Sequence, residues 1–83
     1  MNINEIEVNT RADFARFIEA LKTDLENRPQ DWENATLSDF LEALSRYTTD
    51  IQQYYDNTEQ NINADTATWR LFADICKGAR IYE

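Results

Sequence analysis

The chain has 83 residues, with sixteen Asp or Glu against eight Lys or Arg, no histidine and a single cysteine. A chain of this length supports one domain, residues 1–83, with one modest hydrophobic core. Its formal charge of −8 disfavours binding to nucleic acid and to anionic membranes, since both require clustered Lys and Arg. Without histidine, the chain lacks the commonest general base and metal ligand.

One glycine and one proline argue against a strand-rich fold, which needs frequent tight turns. The apolar residues, 42% of the chain, recur at helical spacing. The sequence therefore predicts an all-α bundle of three main helices, at about 10–27, 36–56 and 64–82, after a short arm at 1–9. We expect a cytoplasmic protein, because no segment has the pattern of a membrane span or a signal peptide and Cys76 has no disulfide partner.

The N-terminal arm alternates Ile6 and Val8 with polar neighbours and is expected to lie across one end of the bundle. Thr10 followed by Asp13 has the approximate spacing of a capping box, which predicts the start of the first helix. Pro29 lies just beyond its predicted end. The apolar stripe of this helix consists of Phe14, Phe17, Ile18, Leu21 and Leu25.

Thr36 and Asp39 repeat the start signal, and the second helix should run to Asp56. Its apolar stripe consists of Leu37, Phe40, Leu41, Leu44, Tyr47, Ile51 and Tyr55. The third helix is apolar over more than half of its circumference, which is typical of a helix between two neighbours, so we place it at the centre of the packing. We expect it to continue through Gly78 to Tyr82, because the helical spacing of apolar residues persists beyond the glycine.

Few residues offer reactive chemistry. Cys76 has Trp69 and Phe72 as helical neighbours, and a thiol in apolar surroundings has a raised pKa and is inert, so its predicted role is structural. Asp39 and Glu42 share a helix face, but the carboxylates show neither EF-hand spacing nor a second inward-facing pair. We therefore predict no catalytic residue, no metal and no cofactor.

Two aromatic positions are candidates for partner binding. Trp32 is either an exposed anchor or a ring that folds back to close the end of the bundle. On the second helix, Tyr55 falls inside the apolar arc and Tyr54 at its margin, flanked in sequence by Asp50 and Asp56. Such a tyrosine is either a binding epitope for a basic surface or a ring that caps the bundle with its hydroxyl in water.

A series of short motifs extends over most of the chain: Trp32-Glu33-Asn34, Leu37, Phe40-Leu41-Glu42-Ala43-Leu44, Tyr54-Tyr55, Trp69, Phe72-Ala73-Asp74-Ile75 and Ala79-Arg80-Ile81-Tyr82-Glu83. In these motifs and their order, the chain resembles an uncharacterised bacterial family of short acidic proteins, known only as a domain of unknown function. The resemblance implies an all-helical fold and carries no established activity.

The length, the acidity and the Tyr54-Tyr55 pair are also similar to those of the immunity proteins that neutralise nuclease bacteriocins. Those proteins are acidic helical bundles with a Tyr-Tyr pair beside an acidic specificity helix. The resemblance implies Asp39, Glu42 and Asp50 as acidic contacts. That family has a proline and a separate short helix after the tyrosines, whereas this chain continues with Asp56-Asn57.

These observations predict a non-enzymatic acidic interaction module that binds a basic protein partner, as an immunity or inhibitor protein does. The predicted epitope is Tyr54, Asp50 and Asp56, with Trp32 as an outlying candidate. The alternative is a small homo-oligomeric structural or adaptor subunit. In that case the Ile6–Val8 arm and the aromatic margin would bury a symmetric, homodimeric interface.

Overall fold

The computed structural model describes residues 2–83, which form three α-helices and two short 3-10 turns and contain no strand. The helices are α1 (Arg11–Asn27), α2 (Leu37–Asn57) and α3 (Trp69–Ala79). The 3-10 turns are Ile3–Glu5 in the arm and Pro29–Asp31 in the first loop. The predicted all-α bundle is confirmed. Met1, the first residue of the predicted arm, lies outside the described residues. No helix within the described range has the length and hydrophobicity that a membrane span requires.

The first two helices begin where their capping residues predict. The Thr10 hydroxyl accepts the Asp13 N–H at 3.1 Å, and the Asp13 carboxylate accepts the N–H of Asn9 at 3.0 Å and of Thr10 at 3.2 Å. Thr36 likewise accepts the N–H of Asp39 at 3.1 Å. These bonds satisfy backbone donors that a helix start leaves unpaired, so local chemistry alone fixes both starts.

Helix α3 begins later than predicted. Thr68 is its N-cap, and the Thr68 hydroxyl accepts the N–H of Leu71 at 3.0 Å. The preceding segment is held in a loop by Gln52 of α2, whose amide donates to the Ile62 carbonyl at 2.9 Å and accepts the Ala64 N–H at 2.8 Å. Because these loop groups find partners on α2, the segment does not need to become helical, and a tertiary contact decides where α3 starts.

Helix α3 ends at Ala79, so the predicted continuation to Tyr82 is wrong. The side-chain amide of Asn34, in the loop before α2, donates to the carbonyls of Ala79 at 2.9 Å and Tyr82 at 2.8 Å. The backbone N–H of Asn34 also donates to the Arg80 carbonyl at 3.0 Å. A helix end leaves its last carbonyls unpaired, and here Asn34 binds one of them and holds the following residues in place.

The predicted central position of α3 is confirmed. Helix α3 packs against both α1 and α2, which make few contacts with each other. One buried cluster joins the arm, α1, the first loop and α3, and consists of Ile3, Val8, Phe17, Leu21, Trp32 and Ala73. A second cluster lies between α2 and α3 and consists of Ile51, Tyr55, Leu71 and Ile75.

The N-terminal arm is part of this core. Ile3 is 3% exposed and Val8 is 5% exposed, and Ile6 packs against the same cluster. Val8 is buried and Ile6 is half-buried within one chain. The Ile6–Val8 segment therefore has little apolar surface left for the symmetric interface of the homo-oligomer alternative, which stays a prediction.

Several residues of the predicted apolar stripes remain uncovered. Ile18 of α1 is 40% exposed, and Leu37 and Leu41 of α2 are 73% and 52% exposed. Their assignment to the core is wrong because α1 and α2 lie on α3 rather than on each other. An apolar gap is therefore left open between the two outer helices.

The second residue after α2 has a left-handed backbone conformation although it is not a glycine. Glu59 has a φ of 57°. The N–H of Gln60 donates to the Tyr55 carbonyl at 2.8 Å and that of Glu59 to the Asp56 carbonyl at 3.2 Å, which is the bonding pattern of a Schellman motif. We expect Glu59→Gly to raise the free energy of unfolding by about 0.5–1 kcal/mol in urea denaturation, because glycine adopts this conformation without strain. Glu59→Ala, which retains a Cβ, is the control; an equal gain there would contradict the explanation.

Candidate functional site

All four tyrosines of the chain come together where the C-terminal residues run along α2. The Tyr47 ring centroid lies 4.9 Å from that of Tyr82 and 6.5 Å from that of Tyr54. The Tyr54 and Tyr55 centroids are 5.7 Å apart. Tilted ring pairs of this kind contribute about 0.5–1.5 kcal/mol each beyond their burial. The rings therefore support one another as a rigid group.

Helical spacing and a long-range contact build this site together. Tyr47, Asp50 and Tyr54 lie three and four residues apart on α2 and so share one face of the helix. Tyr82 joins them because Asn34 binds its carbonyl. We call Tyr47, Asp50, Tyr54 and Tyr82 the tyrosine surface.

The two adjacent tyrosines have different environments, as the sequence predicts. Tyr55 is 0% exposed, and its hydroxyl donates to the Asp74 carboxylate at 2.7 Å. Tyr54 is 45% exposed. The Tyr54 ring is thus available to a partner, while the rings of Tyr47 and Tyr55 pack against it.

Charged groups surround the tyrosine surface. Asp50 accepts a hydrogen bond from the Tyr82 hydroxyl. The Arg46 guanidinium carbon lies 6.0 Å from the centroid of the Tyr82 ring, and the Arg46 side chain donates to the Glu83 carbonyl at 3.1 Å. A cation over an aromatic face is attracted by the ring quadrupole, so this surface already binds one cation within the chain.

The hydroxyls of Tyr47 and Tyr82 are neutral near physiological pH. Burial raises the pKa of Tyr47 to about 12, and the hydrogen bond to Asp50 raises the pKa of Tyr82 above its usual value. A protonated phenol donates hydrogen bonds and is a poor general base. The arrangement is suited to binding a cationic group by ring faces and a carboxylate.

Asp56 lies apart from the tyrosine surface. It follows Tyr54 by two residues, which on an α-helix corresponds to a rotation of about 200°. The Asp56 carboxylate accepts a hydrogen bond from the Gln52 amide at 3.1 Å, on the side of α2 that holds the following loop. The structure therefore brings Tyr54 and Asp50 together and leaves Asp56 on another side of the helix.

Trp32 is buried at the end of the bundle. Its exposed fraction is 9%, its indole N–H donates to the Asp24 carboxylate at 2.8 Å, and its ring lies 5.8 Å from that of Phe40. The interpretation of Trp32 as an exposed anchor is wrong, and the interpretation as a ring that closes the bundle is confirmed.

The remaining candidate residues do not form a reactive group. Cys76 is a half-buried free thiol, and burial raises its pKa. Asp39 and Glu42 are exposed on the N-terminal half of α2. Across residues 2–83, no three side chains of the types that ligate metals come together.

Sequence reasoning missed Tyr82, Arg46 and Asn34 as contributors to the site. Asn34 bonds to residues 45 and 48 positions away, so no local rule reveals its partners. The available signal was the resemblance itself, since both Asn34 and Tyr82 belong to the matching motifs.

The fold and the site define a small all-α protein that presents an aromatic, acid-flanked surface. The chain belongs to a family of unknown function, DUF7660, whose model matches residues 10–83. The match begins at the N-cap of α1, so the N-terminal arm, residues 1–9, lies outside it. The predicted resemblance to an uncharacterised family is confirmed. A search of curated proteins and a search of solved structures give no match, so the comparisons lend no support to the immunity-protein resemblance.

Proposed function

We propose that the protein is a non-enzymatic interaction module that binds a basic protein partner through the tyrosine surface. The observation that carries the proposal is the Tyr54 ring, which is 45% exposed yet packed against Tyr47 and Tyr55. A preorganised aromatic residue loses little conformational entropy on binding, and tyrosine is enriched among interface hot spots.

Charge supports a cationic partner. The chain carries a net charge of −8, which attracts and steers basic molecules. Asp50 lies one turn from Tyr54 and offers a carboxylate beside the ring. The intramolecular contact between Arg46 and the Tyr82 ring supports the proposal, since a partner's arginine could be attracted to the face of the Tyr54 ring in the same way.

The absence of histidine and the raised pKa of the Cys76 thiol support a non-enzymatic role. A basic toxin that the protein would neutralise by binding is one example of such a partner. The departure from the immunity family is visible in α2, which runs unbroken through Tyr54 and Tyr55 to Asn57. Because Tyr55 is buried, only Tyr54 of the pair is presented to a partner.

The test is capture of binding proteins from a lysate of the source organism on immobilised protein, followed by mass spectrometry. We expect a basic protein to bind at about 0.05 M salt and to be released at about 0.5 M, because salt screens exposed charges. Tyr54→Ser should weaken capture by about tenfold or more, as expected for a hot-spot residue. Asp50→Asn should weaken it less and reduce its salt dependence.

Glu19→Gln is the matched control for Asp50→Asn. It removes the same charge from an exposed residue of α1, which takes no part in the tyrosine surface. Capture by Glu19→Gln should equal that of the wild type. A partner retained equally by the wild type, Tyr54→Ser and Asp50→Asn would refute the proposed site.

A further inference from the structure

Arg46 lies against the tyrosine surface although its own helix offers it two carboxylates. Glu42 and Asp50 stand four residues before and after it on α2, so all three side chains share one helix face. Within residues 2–83, Arg46 forms an ion pair with neither of them. Its guanidinium carbon instead lies 6.0 Å from the centroid of the Tyr82 ring, and a guanidinium N–H donates to the Glu83 carbonyl at 3.1 Å. Arg46 therefore occupies the cation position of the tyrosine surface in the free protein.

The contacts that hold Arg46 in this position are weak. Arg46 is exposed, and an exposed cation is attracted to a ring less strongly than a desolvated one. The separation of 6.0 Å from the Tyr82 centroid is also at the outer limit for this interaction. Its hydrogen bond goes to an uncharged carbonyl, which cannot form the bidentate pair that a carboxylate forms with a guanidinium. Arg46 is therefore an easily displaced occupant.

The carboxylate of Asp50 is available to a second cation. It accepts a hydrogen bond from the Tyr82 hydroxyl, and an ionised carboxylate has about four acceptor sites. No Lys or Arg among the described residues forms an ion pair with it. A cavity of about 320 Å³ opens beside it, lined by Arg46, Thr49, Asp50, Tyr82 and Glu83. A guanidinium group in this cavity meets an unneutralised carboxylate and an aromatic ring together.

We infer that Arg46 is an autoinhibitory residue, which occupies the site of a partner's arginine until that arginine displaces it. The inference rests on the proposed function, because it describes how a basic partner enters the tyrosine surface. The incoming guanidinium takes the ring contact that Arg46 gives up and also pairs with Asp50, so the exchange gains an interaction. An arginine suits this exchange better than a lysine, since a planar guanidinium both stacks on a ring and forms a bidentate pair with a carboxylate.

A displaced Arg46 side chain has a second position available. Glu42 is exposed on the same helix face, one turn earlier. A glutamate four residues before a basic residue is the favourable order for an ion pair on a helix. The Tyr82 ring does not need Arg46 to stay in place, because Asn34 binds the Tyr82 carbonyl and Asp50 accepts the Tyr82 hydroxyl. Arg46 thus exchanges between two positions while the rest of the surface stays fixed.

Titration of the ¹⁵N-labelled protein with N-acetyl-arginine amide at about 0.15 M salt tests this inference. N-acetyl-lysine amide, which carries the same charge, is the matched ligand. We expect the arginine derivative to bind with a Kd of about 1–10 mM, with the largest amide shift changes at Asp50 and Tyr82. The lysine derivative should bind at least about threefold more weakly. Arg46→Gln should lower the Kd of the arginine derivative by about three- to tenfold, because the competing occupant is absent.

Arg11→Gln is the matched control for Arg46→Gln. It removes the same charge from an exposed residue of α1, which takes no part in the tyrosine surface, so it should change the Kd by less than about twofold. Thermal unfolding should confirm that both variants are folded. Equal effects of Arg46→Gln and Arg11→Gln would overturn the inference. Equal binding of the two derivatives, or no binding of either up to about 50 mM, would do the same.

Failure of the proposed function gives a different result. If Tyr54→Ser captures the basic partner as well as the wild type does, the proposed site is refuted, and Arg46→Gln still decides the inference through the Kd of the arginine derivative. If Tyr54→Ser weakens capture and Arg46→Gln binds the arginine derivative no more tightly than Arg11→Gln, the proposed function stands and the autoinhibitory role is wrong.

Discussion

Replacing Asp24 with alanine is expected to lower the free energy of unfolding by about 3 kcal/mol. Asp24 is 8% exposed, and its carboxylate accepts the Trp32 indole N–H at 2.8 Å. It also pairs with Arg28 at 3.0 Å and Arg80 at 3.3 Å. Its removal leaves a buried indole N–H unpaired and the Arg80 guanidinium without a counter-ion. The total free energy of unfolding of a domain of this size is about 4–12 kcal/mol, so this loss is large.

Thermal unfolding followed by circular dichroism measures this effect, which corresponds to a decrease in Tm of about 12–24 °C. Asp31→Ala is the control, since Asp31 is an exposed acid in the adjacent 3-10 turn and its loss should change stability by less than about 0.5 kcal/mol. Similar Tm values for the Asp24 and Asp31 variants would show that the buried carboxylate does not organise this end of the bundle.

The same carboxylate makes stability depend on pH. The hydrogen bond from Trp32, with Arg28 and Arg80, holds the pKa of Asp24 below its ordinary value. Because the folded pKa is lower than the unfolded value of about 3.9, this stabilisation is complete above about pH 5 and is lost as the pH falls through the folded pKa. The Tm difference between the wild type and Asp24→Asn should therefore shrink from neutral pH toward about pH 2. A difference independent of pH would contradict this role for the charge.

The second large effect is expected at Gly78, where the Tyr47 ring of α2 packs against the backbone of α3. A Cβ atom at this position would overlap the Cδ2, Cε2 and Cζ atoms of the Tyr47 ring. Tyr47 cannot turn away freely, because its ring also packs against Tyr54 and Tyr82. We expect Gly78→Ala to lower the free energy of unfolding by about 1–3 kcal/mol, although alanine is the better helix former.

A double-mutant cycle measured by urea denaturation isolates this contact. In a Tyr47→Ala background the overlap is absent, and Gly78→Ala should then stabilise the protein by up to about 1 kcal/mol through helix propensity. The sign of the effect should therefore reverse between the two backgrounds. An equal cost in both would mean that the glycine is needed for a reason other than the Tyr47 ring.

The sequence predicts those parts of the fold that local chemistry determines. Thr10 and Thr36 cap their helices with residues three positions away, so the starts of α1 and α2 are visible in the sequence. The start of α3 is not visible in the sequence. Gln52 holds the preceding loop through tertiary hydrogen bonds, and Thr68, the actual N-cap, is one of several nearby polar residues that could cap a helix. The end of α3 depends on Asn34, which lies far away in the chain.

The candidate site was predictable to a similar degree. Helical periodicity separates an exposed Tyr54 from a buried Tyr55 and places Asp50 beside Tyr54. The same periodicity places Asp56 on another side of α2 from Tyr54, although only one residue separates the two in sequence. Tyr82 reaches the site through tertiary contacts, which a single sequence does not display.

The apolar gap between α1 and α2 could not be predicted from the sequence, for a different reason. Hydrophobic periodicity identifies an apolar stripe but not the element that covers it. Leu37 and Leu41 belong to the same stripe of α2 as Ile51 and Tyr55, yet Ile51 and Tyr55 are buried within the chain whereas Leu37 and Leu41 are exposed.

NMR mapping would determine whether a basic partner contacts the tyrosine surface. Amide signals of the ¹⁵N-labelled protein would be followed while the captured basic partner is added. We expect the largest changes at Tyr47, Asp50, Tyr54 and Tyr82. Changes centred instead on Leu37 and Leu41, with Tyr54 unaffected, would contradict it.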